Sequence, residues 1–276
     1  MKAENMGNGF SDAARCAGDD GIHIGKLNGS YLAACKSTRN FDKRFMKYKH
    51  VFFDLDHTLW DFDANARECL HQLHVEFKLA ERGVNDFDLF HKTYLQHNAK
   101  LWDRYRKGFI RQEELRVKRI WLTLLHFRIA DETLTKEMSD LFLNLLPTRT
   151  LLFPDTKEVL DYLQQKRYGL HLITNGFEKT QHSKLKHSGL DQYFKNVITS
   201  ESSNSIKPQP EIFEYALEQA GAVVEESIMI GDTLDVDIAG AMGIGMDQVH
   251  VNYNDAEQNI TPTYTIRTLK ELEQIL

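Results

Sequence analysis

The stretch His50–Asn65 constrains this chain more than any other: His-Val-Phe-Phe-Asp-Leu-Asp-His-Thr-Leu-Trp-Asp-Phe-Asp-Ala-Asn. Val51–Leu55 is a short apolar run suited to a strand buried on both faces. It delivers Asp54 and Asp56 to the strand's carboxyl end, where open parallel sheets bind their ligands. Two carboxylates one residue apart at such a place are costly unless a cation meets them. A divalent metal is the expected partner. Taken alone, Asp-x-Asp-x-Thr also fits a solvated turn. A calcium loop would need Gly at its sixth position and Glu at its twelfth; Leu59 and Asn65 stand there and exclude it.

The chain's composition, 42% hydrophobic and 27% charged, is that of an ordinary globular protein. Its 276 residues suffice for one sizeable domain with an insertion, and the formal net charge is −6 with no long basic block. A nucleic-acid polymer is therefore not an expected partner, whereas a small phosphorylated molecule needs only a local cationic pocket. Cys16, Cys35 and Cys69 are too few and too scattered for a disulfide framework or a zinc site, so a reducing cytoplasm fits. No apolar run approaches the length of a membrane span, and no signal peptide is evident. Residues 1–47, rich in Gly, Ser, Asn, Asp and Lys, have no sustained period and are expected to be a disordered extension. Met46, just before the first strand, is expected to be the natural start, with the preceding residues coming from an over-extended reading frame or from cloning.

Beyond Thr58 the period changes to that of helices. Leu70, Leu73 and Phe77 share one face, as do Phe87, Phe90, Tyr94 and Leu101. Leu115, Ile120 and Leu124 form another stripe, and Leu134, Met138, Leu141, Phe142 and Leu145 a fourth. About four helices are expected between Asn65 and Leu146, inserted after the first strand as a bundle over 63–146. Strands and helices then alternate. Asp155 with Glu158 marks the start of a helix through Gln165, followed by a strand over Gly169–Thr174 and a helix over Phe177–His187. A strand over Val197–Thr199, a helix from Pro210 to Gly221 and a strand over Ser227–Ile230 come next. A helix over Asp235–Met242, a strand over Gln248–Val251 and an edge strand over Tyr264–Ile266 complete the series, with Thr268 and Glu271 capping a last helix. The pattern predicts an α/β fold with a mostly parallel sheet, its core formed by 48–62 and 147–276.

Three further strand ends carry polar residues. Thr174-Asn175-Gly176 resembles a hairpin turn, but a helical segment follows it, and a hydroxyl, an amide and free N–H groups ahead of a helix suit an anion. Lys207-Pro208 lies in a loop before a helix; a loop lysine is ordinarily solvated. Gly231-Asp232-Thr233-Leu234-Asp235-Val236-Asp237 places three acids beside a buried strand end, more than helix capping requires. They can complete an oxygen-ligand site with the first stretch.

These four segments, in this order, resemble the haloacid dehalogenase superfamily, with a Rossmann-like sheet. The helical insertion resembles that superfamily's first class of cap, and Leu59–Ala64 with the overall length resembles the YjjG-type pyrimidine nucleotidases. The resemblance implies that Asp54 is a nucleophile forming an aspartyl-phosphate and that Asp56 is the general acid and base. It implies Mg²⁺ held by Asp54, the backbone carbonyl of Asp56 and Asp232, with Asp237 as ligand or water-mediated partner. Thr174, Asn175 and Lys207 would hold the phosphate, Lys207 also neutralising developing charge. Asp235 has the weaker claim and suits a cap or a solvated surface.

Asp56 argues against carbon-attacking dehalogenases, which lack an acid two residues after the nucleophile. A phosphosugar phosphatase or a β-phosphoglucomutase-like isomerase shares both acids and a helical cap, and a phosphate-binding protein without turnover is the non-enzymatic alternative. In the cap, Trp60, Phe62, Trp102 and Tyr105 can stack on a base, although aromatics at helical spacing ordinarily belong to a core. His71 and His74 lack a third ligand and are expected to pack in the cap or face solvent.

Overall fold

The computed structural model describes residues 47–276 and two short strands nearer the N-terminus. The chain divides into two units, Met1–Arg44 and Phe45–Leu276. In the first, β1 (Lys26–Leu27) and β2 (Ser30–Tyr31) pair antiparallel. The expected disorder over 1–47 and the proposed start at Met46 otherwise concern residues outside those described.

The second unit holds a six-stranded parallel sheet of β3 (His50–Phe53), β4 (Gly169–Thr174), β5 (Asn196–Thr199), β6 (Ser227–Gly231), β7 (Asp247–Val251) and β8 (Tyr264–Ile266). Its order is β5-β4-β3-β6-β7-β8, with every neighbouring pair parallel. The chain builds outward from β3 to β5, then restarts on the other side of β3 with β6. That reversal leaves a crevice at the carboxyl ends of β3 and β6. Every residue of β4 and β6 is buried, the reason these strands are mostly apolar, with His171 the polar residue inside β4.

Strand alternation sorts the core into two layers. Val51, Phe53, Leu170, Leu172, Ile228 and Ile230 face α5 (Thr156–Gln165) and α6 (Glu178–Ser188). Phe52, Ile173 and Met229 face α7 (Pro210–Ala220) and α8 (Ala239–Gly243). Gly189 and Gly221 close α6 and α7 in the left-handed conformation, with φ of 69° and 60°. Asp155 departs from the expected cap. It takes the N-cap position with φ 64° and no capping hydrogen bond, while the Thr156 hydroxyl bonds the Phe153 carbonyl at 2.8 Å. The helix expected over Asp235–Met242 is also different. It begins as a π-helical turn, Leu234–Ile238, before α8, because the Thr233 carbonyl accepts from the N–H groups of Val236, Asp237 and Ile238.

The cap consists of α1 (Phe62–Glu76), α2 (Phe87–Arg106), α3 (Gln112–His126) and α4 (Glu132–Leu145). Asp61, Asp86 and Asp131 cap α1, α2 and α4 by accepting from Ala64, Leu89 and Leu134 N–H. Their apolar stripes meet in one core continuous with that of the sheet. His71 and His74 pack edge-on against Phe87, as cap-packing residues. The two linkers run side by side: Trp60 bridges Leu152 antiparallel, and Phe153 N–H donates to the Leu59 carbonyl at 3.0 Å. The buried Asn65 amide fastens them, accepting from Leu151 N–H at 3.0 Å and donating to Leu151 and Asp61 carbonyls at 2.8 and 2.7 Å. Among the described residues no helix is long and apolar enough to cross a membrane.

Candidate active site

The carboxyl ends of β3, β4 and β6 bring Asp54, Lys207, Asp232 and Asp237 together. The Lys207 ammonium, 1% exposed, donates to Asp54 Oδ1 at 2.5 Å, Asp237 Oδ1 at 2.6 Å and the Ile173 carbonyl at 2.8 Å. Burial alone would favour the neutral amine, but Asp237 and Asp54 outweigh it and hold Lys207 well above its ordinary value. Burial raises the Asp54 carboxyl despite Lys207. Burial, with Asp237 nearby, pushes Asp232 up to about 6.

Asp54, Asp232 and Asp237 offer oxygens within 4.8 Å of one another. Three carboxylates face one ammonium, so full ionisation leaves an excess of negative charge that a divalent cation would balance. An all-oxygen donor set suits a hard cation. Thr58 steadies Asp232 by donating its hydroxyl hydrogen to Oδ1 at 3.1 Å. Asp237 uses one oxygen on Lys207 and accepts from Thr233 N–H at 3.0 Å with the other. Gly231 makes room for it: a Cβ there would lie 2.5 Å from the Asp237 side chain.

Asp56 lies to one side of this cluster. Lys184 Nζ and Gln181 Nε2 donate to its two oxygens at 2.5 and 2.8 Å. Burial opposes ionisation, but Lys184 and Gln181 outweigh it and keep the Asp56 carboxyl below its ordinary value. Lys184 also sits 4.3 Å over the Trp60 ring. A Cβ at position 176 would collide with Gln181, so Gly176 lets α6 bring this pair close.

A cavity of about 450 Å³ joins the site to the cap, lined by Asp54, Asp56, Lys207 and Asp232 below and by Phe62, Leu95, Trp102 and Leu146 above.

The family model for haloacid dehalogenase-like hydrolases matches residues 48–245. The chain belongs to this family. It is similar to the Escherichia coli pyrimidine 5'-nucleotidase YjjG, 31% identical over 84% of this chain and 99% of that protein. It is similar also to the Streptococcus pneumoniae pyrimidine 5'-nucleotidase PynA, 33% identical over 82% of this chain and 94% of that one. Among solved structures, Bacillus subtilis HAD-hydrolase YfnB bound to magnesium superposes with a TM-score of 0.74 at 28% identity, covering 83% of this chain and 98% of that one. That structure reveals interdomain movement.

Within this hydrolase fold, the residues singled out from sequence have different surroundings. Thr174 is buried and its hydroxyl oxygen accepts from Gly176 N–H at 3.0 Å. Asn175, expected at the phosphate, lines the cavity, and its side-chain amide clamps the Lys207 backbone, accepting from its N–H at 2.7 Å and donating to its carbonyl at 3.0 Å. Asp235 does not line the cavity. Of the four cap aromatics, Phe62 and Trp102 line it. Trp60 is fully buried at the hinge, with its indole N–H on the Arg149 carbonyl at 3.2 Å. Tyr105 packs edge-on against Trp102 and Phe177 instead. Sequence reasoning missed Gln181 and Lys184. Their signal was an α6 face carrying Gln181, Lys184 and Ser188 beside Leu185, a polar stripe where a core face was due.

Proposed function

We propose that this hydrolase cleaves pyrimidine nucleoside 5'-monophosphates through an aspartyl-phosphate on Asp54. The observation that carries the reading is a single cavity with Asp54, Asp56 and Lys207 at one end and Phe62 and Trp102 of the cap at the other. The names of the relatives YjjG and PynA support it.

Asp54 attacks phosphorus, and the bond to the ester oxygen breaks as Asp56 gives that oxygen a proton; because Lys184 and Gln181 favour the carboxylate, only the protonated fraction of Asp56 is competent for this first step. Asp56, held by Lys184 and Gln181, then takes a proton from the water that hydrolyses the acyl phosphate. Lys207, the Thr174 hydroxyl hydrogen and the Asn175 N–H hold the phosphoryl oxygens. Asn175 sets the position of Lys207. Mg²⁺, held by Asp54, Asp232 and the Asp56 carbonyl, would supply charge neutralisation for the meeting of carboxylate and phosphate. At about 4 Å two unit charges repel by roughly 4 kcal/mol at an effective dielectric of 20. Asp237 acts through Lys207 and through water. The cap, hinged at the paired linkers, closes over the phosphoester and excludes water.

The test is phosphate release from a panel of phosphomonoesters with Mg²⁺. UMP, dUMP and dTMP are expected to exceed hexose phosphates in kcat/KM. Conversion of a hexose 1-phosphate to its 6-phosphate, with no nucleotide hydrolysis, would overturn the reading in favour of a mutase.

A further inference from the structure

The cap wall of the cavity carries Asp63 and Arg106, neither of them buried, and one buried polar pair among apolar side chains. Asn98 and Arg119 are 7% and 4% exposed, and both line the cavity. Arg119 Nη1 donates to Asn98 Oδ1 at 3.4 Å. Arginine carries only donors, so this contact fixes which end of the Asn98 amide faces it and leaves the Nδ2 hydrogens for other partners. Arg119 Nε is buried with no hydrogen-bond partner. Among the described residues no carboxylate lies within ion-pair distance of Arg119; its guanidinium rests 4.8 Å over the Phe142 ring.

A buried guanidinium with an unfilled donor is expensive for a cap that merely packs. The neighbouring Tyr94 hydroxyl, also without a partner, can fill one donor; the donors on the cavity side are accounted for if a ligand supplies acceptor atoms. Leu95, Ala99, Trp102 and Leu143 line the same cavity, and their apolar faces suit a flat ring.

Resting on the nucleotidase reading, we infer that Asn98 and Arg119 are specificity-determining residues that read the keto edge of the pyrimidine. Their free N–H groups match the carbonyl oxygens of uracil and thymine. The exocyclic amine of cytosine presents a donor to donors and leaves both sides unpaired.

The test compares kcat/KM for UMP and for ribose 5-phosphate, which keeps the phosphate and sugar but lacks the base. In Asn98→Leu and Arg119→Lys the ratio of UMP to ribose 5-phosphate should fall about ten- to a hundredfold, the scale of one lost hydrogen bond in a site built to make it. A ratio that stays constant in the variants, whether both activities persist or fall together, would overturn the inference and leave the pair structural. A measurement on the unmodified protein guards against variants that fail to fold. Uridine should inhibit hydrolysis at least about tenfold more strongly than cytidine, and equal inhibition would refute the keto-edge assignment. A wild-type enzyme that cleaves ribose 5-phosphate as well as UMP defeats the nucleotidase reading itself. One that prefers UMP, but whose preference ignores both substitutions, defeats only this inference.

Discussion

The ammonium of Lys184 lies 2.5 Å from the Asp56 carboxylate, and the same ammonium rests on the ring of Trp60. One buried cation therefore touches both the proposed proton carrier and the linker into the cap. Lys184→Met should lower kcat at least about tenfold, towards the range seen when general acid–base catalysis is impaired, with KM changed less than about threefold. Lys184→Arg should recover much of kcat. Steady-state kinetics on UMP check this; an equal change in KM and kcat would point to a general loss of folding instead.

The two acids of Asp-x-Asp should fail differently. Asp54→Asn removes the nucleophile and should give no acid-stable, hydroxylamine-sensitive phosphoenzyme. Asp56→Asn retains the nucleophile and should lower kcat by about a hundredfold or more. Rapid-quench labelling with radioactive phosphate in the substrate distinguishes them, and a phosphoenzyme in Asp54→Asn would be incompatible with the assignment.

Chelation should abolish turnover and Mg²⁺ restore it. Asp232→Asn should raise the Mg²⁺ concentration needed for half-maximal activity, because it removes one of three carboxylates that converge within 4.8 Å. Thr58→Val should do so more mildly, by freeing Asp232. Calorimetric Mg²⁺ binding to the substrate-free protein gives the same ranking independently of catalysis. Full activity in protein verified to be metal-free would rule the scheme out.

Asn65→Ala should loosen the hinge. Three hydrogen bonds to the linker backbones disappear, and the Leu151 N–H and carbonyl lose their side-chain partner. A loss of roughly 2 kcal/mol is expected from one such buried substitution, read as a lower urea midpoint. Unchanged stability would mean that the linker ribbon holds without this side chain.

A histidine pair on the sheet should make stability pH-dependent. His50 and His171 approach at 3.1 Å, and His171 Nδ1 meets Asn196 Oδ1 at 2.9 Å. Asn Oδ1 only accepts, so His171 donates from Nδ1 and accepts at Nε2 from His50; both rings are then neutral. Burial pushes His171 down to about 4 from an ordinary value near 6.5 and lowers His50 as well. The unfolded chain consequently binds protons that the folded chain refuses. The stabilisation is complete above about pH 6.5 and is lost as pH falls towards 4. Unfolding free energies from urea titrations at pH 7.5 and 5.0 should differ by roughly 1–2 kcal/mol from this source, allowing for partial solvent screening. His171→Phe should flatten the difference, and an unchanged slope in that variant would exclude the pair as its origin.

The sequence by itself determined the order of strands and helices and the positions where polar residues end buried strands. Those signals are local: Val51–Phe53 is apolar, as are Leu170, Leu172 and Ile173, because both sheet faces are covered, and Asp54 and Thr174 stand at the carboxyl ends of these runs. The cap was equally legible, because Leu134, Met138 and Phe142 recur at helical spacing and an Asp precedes three of its four helices. The tertiary structure decided what each isolated polar side chain meets. Lys184 and Asp56 are 128 residues apart, Asn98 and Arg119 lie on different cap helices, and Asn65 joins segments 86 residues apart. A lysine on a helix has the same local sequence signature in water, in a core or at a carboxylate. Only packing sets the dielectric around it and the charge opposite it. Trp60 illustrates the same point: from sequence it suited either a base-stacking ring or a core residue, and the pairing of two distant linkers buries it.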